Sequence, residues 1–240
     1  HSIAADLGSK GSEIYFTSGA SEANNWAIRG AVEDGKKYGK NFVITSEFEH
    51  HSILNTLKAL SESDDVHPLY VRPDKDGYVD PADVAKLLDE YAGKVSLVSI
   101  MAVNNEIGTI QPIRTIASIC QAHGVLFHVD ATQAIGHMDI DVSAYGMDMM
   151  SFSGHKFHGP RGIGALYIRS GVKIPNFIYG GKQERGSRAG TENLPGIVGM
   201  ATALDLCKKS LNDDIECLEE VRDKIAKELL TIDGAHLNGS

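Results

Sequence analysis

Residues 95–130 read VSLVSIMAVNNEIGTIQPIRTIASICQAHGVLFHVD, and this stretch decides the fold. It begins with the apolar run Val95–Met101 and ends with a second one, Val125–Val129. Between them, Pro112–His123 carries apolar residues at helical spacing, and Gly124 is a typical residue at the end of a helix. A strand, a helix and another strand of these lengths predict a crossover that joins parallel strands.

The same alternation continues on both sides of this stretch. The other short apolar runs that are typical of strands are Glu13–Phe16, Phe42–Thr45, Leu69–Val71, Met149–Phe152 and Ile163–Ile168. The other helical stretches are Glu22–Val32, His51–Leu60, a helix that opens at Asp80–Asp83, and a long helix from about Thr191 to about Leu230. We therefore predict an α/β fold in which helices flank a mainly parallel sheet.

The composition is that of an ordinary globular protein. The 240 residues are 42% hydrophobic and 23% charged, which is enough for one large α/β domain. The net charge of −9 disfavours binding to nucleic acid or to an anionic membrane surface, and no apolar run is long enough to span a bilayer. The three cysteines are widely spaced, which indicates a reducing compartment, and we expect the cytoplasm.

Polar side chains follow five of the predicted strands. Because ligands of an open α/β sheet bind beyond the carboxyl ends of its strands, we expect these side chains to meet. They lie in segments 17–22, 47–50, 104–106, 130–133 and 153–156. Loops are polar in general, but this does not account for a set that combines an anion site at a helix start, an Asp, a Lys, a His and two amides.

Two of these segments suit a phosphate and an aldehyde. The small residues Ser18–Ser21 precede a helix, where backbone N–H groups and the Ser21 hydroxyl can bind a phosphate; an ordinary helix cap is the alternative. Lys156 lies on a turn flanked by Gly154 and Gly159, and lysine forms Schiff bases with aldehyde cofactors. An exposed surface lysine is the alternative.

Three further side chains suit an aromatic cofactor ring. Asp130 ends an apolar strand, where a carboxylate is costly unless it has a partner, and it suits either a ring nitrogen or the cap of the following turn. Gln133 suits a ring oxygen, and His50 suits stacking on the ring face. His155 suits proton transfer or a structural role.

A metal site is the weaker interpretation of the same region. The available ligands are His128, Asp130, His155 and His158, but none has the helical or paired-cysteine spacing of recognised sites. We therefore predict no metal, and we expect His128 to pack on its strand. The sequence also has no mononucleotide, dinucleotide or nucleophile-elbow motif.

Six motifs, in order along essentially the whole chain, carry a resemblance to a known family. They are Phe16–Asn25, Glu49-His50, Val103–Gly108, His128–Gln133, Ser151–Lys156 and Arg185–Asn193, of which the last is the most specific. Together they resemble the cysteine desulfurases of the class V aminotransferase superfamily. The resemblance implies a fold-type I enzyme with a mostly parallel seven-stranded sheet flanked by helices, which works as a homodimer with pyridoxal 5'-phosphate (PLP) as its cofactor.

The resemblance also implies a role for each candidate residue. Lys156 is implied as the catalytic lysine that forms the Schiff base, and Asp130 as the partner of the pyridine nitrogen. His50 is implied as a catalytic residue stacked on the ring, Gln133 as the donor to its phenolic oxygen, and Asn105 as a neighbour of the cofactor hydroxyl and the substrate. The implied phosphate ligands are Ala20, Ser21, Ser153 and His155, with Thr191 reaching the phosphate of the neighbouring subunit.

The chain departs from the family pattern at both ends. Members carry a nucleophilic cysteine on a mobile loop and an arginine for the substrate carboxylate, both of which would fall after Ser240, and an N-terminal arm is absent. Cys120 and Cys207 lie on apolar helix stripes, and Cys217 lies near one, on either the core or the surface side. We therefore predict that residues 1–240 form the PLP-binding large domain without the C-terminal small domain, and that this domain binds PLP without desulfurating cysteine.

The activity implied for the whole protein converts L-cysteine to L-alanine and transfers the sulfur, as a persulfide, to an acceptor such as a scaffold protein of iron–sulfur cluster assembly. A selenocysteine lyase or a class V aminotransferase on the same scaffold is an alternative. A non-catalytic PLP-binding scaffold domain is another. We expect no nucleic-acid partner and no membrane partner.

Overall fold

The seven strands form one sheet in the structure, a computed structural model that describes residues 1–239. Ser240, the last residue of the predicted domain, lies outside the described residues. The strands are β1 (Ile14–Thr17), β2 (Phe42–Ser46), β3 (His67–Val71), β4 (Val95–Met101), β5 (Leu126–Asp130), β6 (Met149–Ser153) and β7 (Gly164–Ile168). Their spatial order is β1-β7-β6-β5-β4-β2-β3.

The sheet is mainly parallel, which confirms the prediction. Strands β3, β2, β4, β5 and β6 pair in parallel, while β7 is antiparallel to both of its neighbours, β6 and β1. Strand β1 therefore runs in the same direction as β6. The carboxyl ends of every strand except β7 consequently meet at one edge of the sheet.

In the part of the chain that the structure describes, seven α-helices flank the sheet. They are α1 (Ser2–Asp6), α2 (Ala20–Lys36), α3 (His51–Ser63), α4 (Pro81–Glu90), α5 (Ile113–Ala122), α6 (Val142–Tyr145) and α7 (Leu194–Leu229). The predicted cap of α4 is present, because the Asp80 carboxylate accepts a hydrogen bond from the backbone N–H of Ala82 at 2.8 Å and Pro81 occupies the first helical position. Within residues 1–239, no helix is long and apolar enough to cross a membrane.

The core lies on both faces of the sheet. Every residue of β4 is buried, and its side chains alternate between two apolar clusters: Leu97 contributes to one, and Val98 and Ile100 contribute to the other. Helices α2 and α3 cover the first face, while α4, α5 and the beginning of α7 cover the second. Burial on both faces explains why the central strands read as continuous apolar runs.

Helix α6 was not predicted, and α2 extends beyond its predicted range at both ends, since it ends at Lys36 rather than at Val32. The helix begins at Ala20, with Gly19 as its N-cap, rather than at Glu22. This earlier start directs the unpaired N–H groups of the first helical turn at the space beyond β1. The predicted strand Val95–Met101 agrees with β4 at both ends, and the other predicted strands differ by one or two residues at an end.

Candidate active site

A cavity of about 640 Å³ opens at the carboxyl edge of the sheet. Nine of the ten predicted site residues line it, namely Ala20, Ser21, His50, Asn105, Asp130, Gln133, Ser153, His155 and Lys156. The tenth, Thr191, is exposed just before α7 and does not line the cavity, so its predicted contact with a neighbouring subunit stays a prediction. The strand-end argument therefore placed most of the candidate residues in one space.

The N-terminus of α2 forms one end of the cavity and is held from two sides. Glu22 accepts a hydrogen bond from the Ser18 backbone N–H at 2.9 Å, and its carboxylate makes a bidentate pair with Arg188 at 2.7 and 3.1 Å. Although burial alone would raise the pKa of Glu22, the hydrogen bonds from Arg188 and Ser18 outweigh it and lower the pKa. Glu22 is therefore a charged anchor for the turn that precedes the helix.

Strand β7 supports this turn from below at very short range. A Cβ atom on Gly164 would lie 2.6 Å from the Cα atom of Gly19, so only glycine allows the backbone of β7 to approach so closely. The turn is thus fixed by backbone contact, and its small residues leave the first N–H groups of α2 open to the cavity.

A short 3₁₀ turn, Gly154–Phe157, follows β6 and carries His155 and Lys156. Ser153 Oγ lies 2.9 Å from His155 Nδ1, and partial burial together with the cations Lys156 and Arg161 lowers the pKa of His155. The side chain of Lys156 is exposed and lines the cavity. An amine, an imidazole and two hydroxyl-bearing turns therefore face the same space.

Asp130 is 4% exposed and lines the same cavity as this turn. Its Oδ1 accepts hydrogen bonds from the backbone N–H and the hydroxyl of Thr132, and its Oδ2 accepts one from Asn24 Nδ2 at 2.7 Å. Both interpretations of Asp130 therefore agree with the geometry, since Oδ1 caps the following turn while the carboxylate also borders the cavity. Three donors fix the orientation of the carboxylate.

His50 and Asn105 approach the cavity from two other loops. His50 is the N-cap of α3, and its Nδ1 accepts a hydrogen bond from the Ser52 backbone N–H at 3.1 Å. Asn105 is exposed, and its Nδ2 donates to Glu106 Oε1 at 2.8 Å. The loop of Asn105 is shaped by its neighbour Asn104, whose side-chain oxygen accepts hydrogen bonds from the backbone N–H groups of Glu106 and Ile107.

Glu49, next to His50, is buried behind the cavity and does not line it. Its Oε1 accepts hydrogen bonds from Ser46 Oγ at 2.6 Å and from the backbone N–H of Met101 at 2.9 Å, whereas its buried Oε2 has no partner within the described residues. Burial, with a smaller contribution from the charge of Asp130, raises the pKa of Glu49 to about 8. Glu49 is therefore a neutral acid at pH 7 that links the ends of β2 and β4.

His128 packs on its strand, as expected. It is fully buried, with Nδ1 2.9 Å from Ser99 Oγ and Nε2 2.8 Å from Ser151 Oγ. Burial lowers its pKa to about 4, so the ring is neutral at pH 7 and bridges β4, β5 and β6. Across residues 1–239, no group of three His, Cys, Asp or Glu side chains has the geometry of a metal site.

None of the three cysteines, all of which are among the described residues, lines the cavity. Cys120 and Cys207 are buried, as predicted from their helix stripes, and burial raises the pKa of Cys120 to about 12. Cys217, whose side was left open by the sequence, is exposed on α7. These thiols are therefore not available for chemistry in the cavity.

The cavity combines three chemical capabilities. The N-terminus of α2, with Ser21, Ser153 and His155, can hold a phosphate. Lys156 supplies an amine that can react with an aldehyde, and Asp130 supplies a fixed carboxylate for a cationic ring. Sequence reasoning missed the residues that support this set, above all Asn24, because a polar residue inside a helix gives no sign of its burial.

The chain is similar to proteins of a known family. The family model for class-V aminotransferases matches residues 2–240. The "Cysteine desulfurase IscS" of Methanosarcina thermophila is 47% identical over 237 residues, and the protein of the same name from Clostridium botulinum is 45% identical over 225 residues. These matches cover 98% and 94% of this chain but 57% and 55% of the relatives, so the chain spans little more than half their length.

Solved structures give the same picture. A structure described as "NIFS-LIKE PROTEIN" matches with a TM-score of 0.91 at 42% identity, covering 98% of this chain and 63% of that chain. The crystal structure of DndA from Streptomyces lividans matches with a TM-score of 0.90 at 31% identity, covering 97% and 65%. The sheet with its flanking helices therefore has the NifS-like architecture, as the sequence motifs implied.

Proposed function

The chain belongs to the aminotransferase class-V family, and from this premise we propose that it is the PLP-binding large domain of a cysteine desulfurase. Its relatives at 47% and 45% identity are named cysteine desulfurases, which favours this activity over a selenocysteine lyase or an aminotransferase. The observation that carries the proposal is the convergence of Lys156, Asp130 and the N-terminus of α2 on one cavity.

The residues of the cavity fit PLP. A phosphate fits the start of α2, because the first helical N–H groups are unpaired and Gly164 lets β7 support the turn by direct backbone contact. A pyridine nitrogen fits Asp130, whose carboxylate is fixed by Thr132 and Asn24. An aldehyde fits Lys156. The volume of about 640 Å³ is within the range of small-molecule sites.

PLP, when bound, supplies an aldehyde that takes up the amine of an amino acid and a ring that withdraws electrons from its α-carbon. Lys156 Nζ would hold the aldehyde and would accept the proton from the α-carbon of the substrate. Asp130 would hold the proton of the ring nitrogen. Gln133 and Asn105 would orient the ring oxygen, and His50 would cover the ring face.

The substrate of the whole protein is L-cysteine, which becomes L-alanine while its sulfur passes to a protein thiol as a persulfide. The three cysteines of this chain are remote from the cavity, so the thiol that receives the sulfur is not among them. The chain by itself therefore binds PLP without desulfurating cysteine. We further propose that the protein is a cytoplasmic homodimer, in which Thr191 faces the partner's phosphate, and that it passes sulfur to an acceptor such as an iron–sulfur scaffold.

The test is the visible absorption spectrum of the purified chain with added PLP, followed by borohydride reduction and peptide mapping. We expect a yellow protein with the label on Lys156. The variant Lys156→Ala should lose the label completely while its fold is kept, because within the described residues Lys156 is the only lysine that lines the cavity. Lys173→Ala, a matched change at an exposed lysine that does not line the cavity, should be labelled like the parent.

Two outcomes contradict the proposal. A folded chain that stays colourless with PLP argues against the assignment of the cavity. Sulfide release from L-cysteine by this chain alone argues against the statement that the receiving thiol is not one of its three cysteines, since one of them would then have to act.

A further inference from the structure

A continuous line of hydrogen bonds runs along the cavity wall from Asp130 to His50, through Asn24, which does not line the cavity, and Ser52, which does. Asn24 Nδ2 donates to Asp130 Oδ2 at 2.7 Å and to Ser52 Oγ at 2.8 Å. Ser52 Oγ in turn lies 2.8 Å from His50 Nδ1, and the Ser52 backbone N–H points at the same nitrogen at 3.1 Å. Two residues that the sequence did not single out, Asn24 and Ser52, thus connect two residues of the cavity.

The direction of every hydrogen bond in this line is determined. Asp130 Oδ2 is an acceptor, so the atom of Asn24 that faces it is the amide nitrogen. The second hydrogen of this nitrogen is donated to Ser52 Oγ. The Ser52 hydroxyl already accepts there, and its own hydrogen is free for His50 Nδ1. The backbone N–H of Ser52 cannot be reversed, so His50 Nδ1 has to be an acceptor.

The line is built at a cost to stability. Asn24 is fully buried inside α2, and its Oδ1 has no partner among the described residues. A buried polar atom without a hydrogen bond is destabilising, and an apolar residue would suit this position of the helix better. The amide is therefore better explained by what its nitrogen does than by the stability of the fold.

We propose that Asn24 and Ser52 are positioning residues that join Asp130 to His50 and fix the His50 imidazole as the tautomer whose proton is on Nε2. Neutral imidazole has one donor and one acceptor nitrogen, so acceptance at Nδ1 leaves the hydrogen on Nε2. Within the described residues Nε2 has no hydrogen-bond partner, and His50 lines the cavity. The line thus presents the Nε2–H group of His50 as a donor to a bound ligand. The Asn24 amide at the other end of the line also orients Asp130.

The inference deepens the proposed function and rests on it for the identity of the ligand, but its first test does not. Nitrogen-15 NMR of the histidine rings, on the PLP-free chain above the ordinary titration range of histidine, reports which ring nitrogen carries the proton. The His50 signal is assigned with the variant His50→Gln. We expect Nδ1 without a proton and Nε2 with one.

Ser52→Ala removes the hydroxyl and keeps the backbone N–H. We expect the ratio of the Nε2–H tautomer to the Nδ1–H tautomer to fall roughly two- to tenfold, which is the weight of one hydrogen bond. Ser52→Thr keeps the hydroxyl and should keep the ratio of the parent. Ser61→Ala, the same change at an exposed serine of the same helix whose hydroxyl contacts only the Lys58 carbonyl oxygen, should also keep it.

A protonated Nδ1 in the parent chain, or an unchanged ratio in Ser52→Ala, overturns the inference. If Ser52→Ala fails to fold, the protonation of Nδ1 in the parent and in Ser52→Thr still decides. A second readout is PLP affinity: Asn24→Ala should bind PLP about tenfold more weakly, because Asp130 loses a donor. If the parent chain binds no PLP, the proposed function fails. The NMR measurement of the His50 tautomer in the PLP-free chain still tests the present inference.

Discussion

The surroundings of Asp130 and of Glu49 differ, although each residue is 4% exposed and each lies at or just after the carboxyl end of a parallel strand. Asp130 borders the cavity and receives hydrogen bonds on both oxygens. Glu49 lies behind the cavity and receives them on one oxygen only, with the other buried and unpaired. Burial therefore does not identify a functional carboxylate, whereas the donors on each oxygen and contact with the cavity do.

The pH dependence of stability tests the Glu49 side of this comparison and should show the largest effect. Because burial raises the pKa of Glu49 from 4.5 to about 8, the folded state holds a proton that the unfolded state releases. Its contribution to the free energy of unfolding is fully present below pH 4.5 and is lost as the pH rises through about 8, by on the order of 5 kcal/mol. Urea titrations from acid to alkaline pH measure it.

Glu49→Gln should remove most of this slope, because the amide keeps the acceptor for Ser46 and Met101 and has no proton to lose. Glu47→Gln, at an exposed residue two positions earlier, should leave the slope of the parent unchanged. Equal slopes in the parent and in Glu49→Gln would show that Glu49 is ionised in the fold, and the two carboxyl groups would then be alike.

The role of Asp130 is tested by measuring PLP affinity and the free energy of unfolding separately in two variants. Asp130→Ala should weaken PLP binding about 100-fold, or about 2.7 kcal/mol, because the ring loses its anion. Asp148→Ala is the matched change at a buried carboxylate that pairs with Arg169 and accepts from the Phe127 backbone N–H, remote from the cavity. It should lower the free energy of unfolding by about 2 kcal/mol and leave PLP affinity unchanged. Titration with PLP and urea unfolding measure the two quantities; equal PLP affinities for the two variants would contradict the comparison.

Glu22 extends the comparison to a carboxylate that is stabilised by a cation, and the expected effect is the smallest. Arg188→Ala removes both hydrogen bonds of a half-buried bidentate pair and should lower the free energy of unfolding by about 1–2 kcal/mol at pH 7. The loss should shrink as the pH falls below 4.5, because the lowered pKa of Glu22 contributes stability only above that range. Thermal or urea unfolding at both pH values measures it. Arg222→Ala, at an exposed pair with Asp223, should change stability by less than about 0.5 kcal/mol.

Much of the fold was predictable because its signals are local. The apolar run Val95–Met101 coincides with β4, since a central parallel strand is buried on both faces and its polar residues are two small, buried serines, Ser96 and Ser99. The antiparallel β7 was not predictable from its run, because the direction of a strand depends on the connection that precedes it. The start of α2 was set two residues late because Gly19, a weak capping signal, stands where a Ser or Asp was the expected cap.

The candidate site was predictable where strand ends supply unusual residue types and not where it depends on contacts distant in sequence. Lys156 lies just after a strand and Asp130 ends one, and both carry distinctive chemistry, so the sequence alone singled out two residues that line the cavity. Asn24 lies 106 residues from Asp130 in sequence, and nothing nearby marks it as its partner. The raised pKa of Glu49 likewise depends on burial by elements that close over it, which the adjacent residues do not reveal.

The antiparallel pairing of β1 with β7 has a consequence for how the chain acquires its shape. Ile14 pairs with Tyr167, about 150 residues later, so the first strand of the chain can pair only after the last strand has been synthesised. Such a contact is slow to form because a long loop has to close, and an unpaired edge strand exposed in the meantime is a site for aggregation. Since Gly164 also supports the turn before α2, the end of the cavity at the start of α2 is completed only after that residue has left the ribosome.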